Sequence, residues 1–91
     1  MQPEERIQLF EQVKPKFVDF VSRLGANWVI TTYISTYSYE DCYDFYLDKF
    51  KPHSEEKKIK KFVKALGITK LHQEHIDELL LFDSLFRLIY E

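Results

Sequence analysis

The twelve residues from Leu79 to Tyr90, LLLFDSLFRLIY, constrain the fold most, because nine of them are apolar and the polar ones fall at Asp83, Ser84 and Arg87. Those three lie close together on a helical wheel. A helix with so narrow a polar stripe is covered on most of its circumference, which makes it the central post of a bundle or half of a helix pair between two copies. At 91 residues the chain suffices for one domain, and such a chain buries roughly 60 to 65% of its unfolded surface. Eight Phe, six Tyr and one Trp can supply much of that thin core. Six tyrosines cannot all hide their hydroxyls, so some aromatic surface is expected outside, where Tyr is a favoured contact residue.

Helix signals recur along the chain. Pro3 suits a first helical position, Glu4 and Glu5 follow in the first turn, and Ile7, Phe10, Val13, Phe17, Val21 and Leu24 repeat at spacings of three and four up to the stop at Gly25. Pro15 interrupts this run and predicts a kink or break near Lys14. Residues 28–37, WVITTYISTY, read as strand on propensity but have no turn residue to build a hairpin. A buried helix capped by Asn27 is therefore expected there, with a strand paired to a second copy as the alternative. Ser38 and Asp41 have capping spacing ahead of a helix to about Phe50, and Ser54 can cap a helix from Glu55 to Leu66 that ends at Gly67. Thr69 can cap a last helix, taking in Leu71 and running to the C-terminus. The expected fold is all-α, one compact bundle of four or five short helices spanning residues 1–91.

Charge is sharply segregated. Residues 38–48 hold Glu40, Asp41, Asp44 and Asp48 with no basic residue, a local charge of −4, interleaved with Tyr39, Tyr43 and Tyr46. Like charges four apart on a helix cost on the order of 0.2–0.5 kcal/mol per pair, so an offset is expected. One offset is a partner with a basic surface, docked on Tyr39, Glu40, Asp41, Tyr43, Asp44 and Asp48. The other lies within the chain: residues 49–64 carry seven lysines and two glutamates, a local charge of +5, and either neutralise the acidic helix in cis or form a solvated face. In the helix from Glu55 to Leu66, Ile59, Phe62, Val63 and Leu66 read as the inner stripe, and Lys57, Lys58, Lys60, Lys61 and Lys64 as the outer one.

The run Phe62-Val63-Lys64-Ala65-Leu66-Gly67-Ile68-Thr69 resembles the turn of helix-turn-helix DNA-binding domains. That resemblance implies a second helix lying in the major groove, with Lys57, Lys60, Lys61 and Lys64 as nucleic-acid contacts. Two departures stand against it: Gln73 occupies an apolar position of the pattern, and Glu74, Asp77 and Glu78 on the second helix repel phosphates. The stretch from Thr31 to Phe50, TTYISTYSYEDCYDFYLDKF, is similar to the N-terminal structural module of Ras-family exchange factors in its aromatic spacing. This likeness implies a helical scaffold without catalysis.

Enzyme motifs are absent. Neither Gly25 nor Gly67 sits in a phosphate-cradling loop, and there is no nucleophile elbow. Cys42, His53, His72 and His75 match no zinc spacing, and Cys42 between Asp41 and Tyr43 reads as a small packed thiol. No metal, cofactor or catalytic residue is expected. A lone cysteine, and a start lacking a basic segment followed by an apolar one, predict a reducing, cytoplasmic location. No apolar run reaches the roughly 18 residues that span a bilayer, so a soluble chain without membrane contact is expected. A net charge of −2 and a pI near 5.9 argue against a protein built to coat nucleic acid. The function read from the sequence is a non-enzymatic adaptor, inhibitor or regulatory subunit, with self-association through the C-terminal helix 71–90 as a compatible possibility. A helix-turn-helix-like DNA binder is the competing class.

Overall fold

The computed structural model describes residues 1–25 and 35–91. Their elements are α1 (Pro3–Arg23), α2 (Tyr39–Lys49), α3 (Glu55–Leu66) and α4 (Gln73–Tyr90), and no strand occurs among the described residues. The all-α expectation is met. Most of the expected helix over 28–37, and its Asn27 cap, lie outside the described residues.

Local signals set most boundaries. The Ser38 hydroxyl accepts from Asp41 N–H at 3.1 Å, and the Asp41 carboxylate accepts from Ser38 N–H at 3.4 Å, a full capping box for α2. The Ser54 hydroxyl accepts from Lys57 N–H to cap α3. At the other end of α3, Gly67 turns left-handed at φ 67°. Its N–H reaches the Lys64 carbonyl while Ile68 N–H reaches that of Val63, a paired C-terminal closure. Gly25 is likewise left-handed, at φ 74°, and its N–H reaches the Ser22 carbonyl just past the end of α1.

Two boundary expectations need correction. Pro15 does not break α1, which runs unbroken from Pro3 to Arg23. Proline costs a helix interior about 3 kcal/mol, but Phe10 and Val13 before it and Phe17, Phe20 and Val21 after it are buried on one face, and each such burial is worth roughly 1.5–3 kcal/mol. Packing on both sides outweighs the lost bond, and Pro15 itself faces solvent. Likewise Thr69 does not cap α4. That helix begins at Gln73 with His72 at the cap position, and Leu71 is instead buried as part of the connection.

Phe17 is the hub of the core. Its ring meets Phe20, Phe45, Phe62, Phe82 and Phe86 at centroid distances of 5.1 to 6.3 Å, so it touches rings from each of the four described helices. Helices α1 and α4 run antiparallel. The Arg6 guanidinium donates to the carbonyls of Ile89 and Glu91 at one end, and Arg23 holds both carboxylate oxygens of Glu78 at 3.2 and 2.8 Å at the other.

The polar stripe of α4 does not face solvent as a unit. Asp83 is buried and accepts from Lys58 at 2.8 Å, so Lys58 leaves the outer lysine stripe and lies between α3 and α4. The ion pair draws this side of α4 toward α3, while Leu81 and Leu88 stand 57% and 53% exposed. Helix α4 is thus a packed wall of the bundle with one apolar edge in solvent. No helix among the described residues is long and apolar enough to cross a membrane.

Candidate functional site

Helices α2 and α3 are built alike. Each follows a capping serine, Ser38 or Ser54, and each buries the fourth, eighth and twelfth residues after it: Cys42, Tyr46 and Phe50 in one, Lys58, Phe62 and Leu66 in the other. Positions three, six and ten after each serine then fall on the opposite side of the helix. On α2 they are Asp41, Asp44 and Asp48; on α3 they are Lys57, Lys60 and Lys64, and all six are exposed. The segregation of charge seen in the sequence becomes two outward stripes of opposite sign.

Between α2 and α3 lies an open groove of about 480 Å³. Asp41, Asp44 and Asp48 form one wall, Phe45, Phe62, Ala65 and Leu66 contribute the apolar lining, and Lys49 is the cation at its edge. Of the apolar lining, Phe62 and Leu66 belong to the inner stripe expected from the sequence and are buried, whereas Phe45 and Ala65 are half-buried where the groove opens.

The six predicted contact residues do not all line the groove. Asp41, Asp44 and Asp48 share the groove wall, and Glu40 is exposed beside them. Tyr39 instead clamps α2 to the rest of the bundle. Its ring meets Phe10 at 5.7 Å and Tyr90 at 5.0 Å, its hydroxyl donates to the Ile89 carbonyl, and its own carbonyl accepts from the Tyr90 hydroxyl at 2.6 Å. Tyr43 is 39% exposed but its ring meets that of Tyr90 at 5.1 Å, tilted by 46°, and neither Tyr39 nor Tyr43 lines the groove.

Neutralisation in cis reaches one carboxylate. Asp48 pairs with Lys49 and, across to α3, with Lys61 at 3.5 Å. The hydrogen bond from Lys49, helped by the charge of Lys61, holds the Asp48 carboxyl below the usual range. Glu40, Asp41 and Asp44 make no ion pair among the described residues, and the Asp41 carboxylate accepts the capping bond from Ser38 N–H. On α3, Lys60 pairs with Glu56 at 3.0 Å on an open surface, while Lys57 and Lys64 make no ion pair among the described residues.

The helix-turn-helix spacing is not reproduced. The connection between α3 and α4 runs from Gly67 to His72, longer than the three or four residues of that motif. Its second helix is a core element, burying Leu79, Phe82, Phe86 and Ile89. Among the described residues no group of three His, Cys, Asp or Glu side chains could hold a metal ion. Cys42 is buried, and burial pushes its thiol up to about 11. Comparison with protein-family models, with curated proteins and with solved structures finds no match.

Proposed function

We propose that this chain is a small non-enzymatic interaction domain, an adaptor, inhibitor or regulatory subunit, that docks a partner with a basic surface through the outer side of α2. One observation carries the reading: Glu40, Asp41 and Asp44 stand exposed, without an ion pair among the described residues, beside a groove lined by Phe45, Phe62 and Leu66. Unpaired carboxylates in water contribute steering and register; the apolar lining contributes desolvated contact area of the kind that carries binding energy. A helix with Lys or Arg at spacings of three and four, and a bulky apolar residue between them, has the matching chemistry. Its action on that partner is occlusion or scaffolding.

The direct test is fluorescence anisotropy of a labelled helical peptide of that design, titrated with wild-type protein and with a Glu40→Lys/Asp44→Lys variant. Saturable binding by wild type that the variant loses, with its helical circular dichroism intact, supports the reading; equal binding by both excludes it.

A second reading rests on the outward Lys57, Lys60 and Lys64. Under it, a labelled random-sequence duplex binds and weakens steeply with salt, and substituting these lysines, together with Lys61, by Gln flattens the salt slope. Duplex binding without peptide binding would transfer the function to α3.

A further inference from the structure

We infer that the basic helix fitting the acidic side of α2 is the α3 of a second copy of this chain. This inference rests on the docking reading above and names its partner. Asp41, Asp44 and Asp48 stand at the same three positions after Ser38 as Lys57, Lys60 and Lys64 do after Ser54. Each stripe spans about 10.5 Å at 1.5 Å per residue, so with the two helices parallel the stripes match position for position. The opposite signs make this the favourable pairing, and like stripes placed together would repel.

The surroundings of the lysines add an apolar component. Beside them on α3, Ile59 and Val63 are half-buried and join Leu71 in a shallow recess of about 340 Å³, edged by Lys60, Lys64 and Lys70. A charged rim around apolar contact thus occurs on both sides of the pairing. Because every copy carries both stripes, the contact either closes as a symmetric pair that uses each stripe once, or continues head to tail. Within one copy the two helices meet in charge at Lys61 and Asp48, which leaves Asp41, Asp44, Lys57 and Lys64 for a second copy.

The test is the mass of the full chain by sedimentation velocity at about 10 mM and about 1 M salt, between which the Debye length falls from about 30 Å to about 3 Å. Wild type should sediment at twice the monomer mass or more at low salt and as monomer at high salt. Asp44→Lys and Lys57→Glu/Lys64→Glu should each be monomeric, and their equimolar mixture should associate again. The milder Asp44→Asn and Lys57→Gln/Lys64→Gln should weaken association while keeping the helical spectrum, which separates lost contact from lost fold. A wild type that stays monomeric overturns the inference; if it still binds the basic helical peptide, docking stands and only self-pairing falls. Association that survives in both reversed variants also overturns it, by placing the contact elsewhere.

Discussion

Lys58 Nζ lies 2.8 Å from Asp83 Oδ2, and both side chains are about nine-tenths buried. The pair joins α3 to α4, and the same oxygen accepts from Arg87 at 3.3 Å, so two cations converge on one atom. Asp83 Oδ1 is buried and has no donor among the described residues. Removing one partner of a buried pair typically costs about 3–5 kcal/mol, whereas replacing both with apolar groups is often near neutral. Asp83→Leu, which strands the Lys58 ammonium, should therefore lower the stability in urea by about 3 kcal/mol or more. The double variant Lys58→Met/Asp83→Leu should recover most of that loss. A double variant as unstable as Asp83→Leu alone would show that the pair is not the source.

Phe17 should be the costliest ring to truncate. It is 1% exposed and meets rings from each of the four described helices, and Phe→Ala in a core costs about 3–5 kcal/mol. Against a total of about 5–15 kcal/mol for a domain, Phe17→Ala should leave a marginal fold, seen as a large fall in the thermal midpoint. Tyr43→Ala, at the surface, should lower it far less.

Cys42 supplies a pH prediction. Burial raises its folded value from the ordinary 9.0 to about 11. A raised folded value stabilises fully below pH 9.0 and is lost as pH rises toward 11, because the unfolded thiol ionises first. Cys42→Ala should accordingly be less sensitive to alkali across that window. At neutral pH the native thiol carries about 100-fold less thiolate than a free one, so a thiol-reactive chromogen should label it slowly until denaturant is added. Fast native labelling would contradict its burial.

Two tyrosines should resist ionisation for as long as the fold holds. Burial pushes the hydroxyls of Tyr46 and Tyr90 well above the ordinary phenol range, with hydrogen bonds from Tyr46 to Glu91 and from Tyr90 to the Tyr39 carbonyl consistent with their enclosure. Raising pH should bring up the phenolate absorbance of Tyr46 and Tyr90 only together with the loss of the helical spectrum. Tyr90→Phe should cost about 1 kcal/mol, the worth of an ordinary hydrogen bond.

Features decided within a few residues were legible in the sequence. The Ser38 and Ser54 caps and the Gly25 and Gly67 stops depend on neighbours three or four positions away, and they stand where the spacing put them. Lys58 was placed on the outer stripe because its partner is 25 residues distant, beyond the reach of periodicity. Pro15 and Thr69 failed for the same reason: burial of Phe10, Phe17 and Leu71 by distant elements overrode a local preference. At the candidate site the acidic stripe followed from helical period, but the division of Tyr39 and Tyr43 from the groove depended on where Tyr90 packs.

If the groove side of α2 receives a basic helix, the backbone amides of the isotope-labelled chain should report it by NMR as an unlabelled basic helical peptide is added. Saturable shifts should cluster at Glu40, Asp41, Asp44, Phe45 and Asp48 and extend to Phe62 and Ala65 across the groove. Shifts confined to α1, or to the Leu81 and Leu88 edge of α4, or no shifts at low salt, would contradict it.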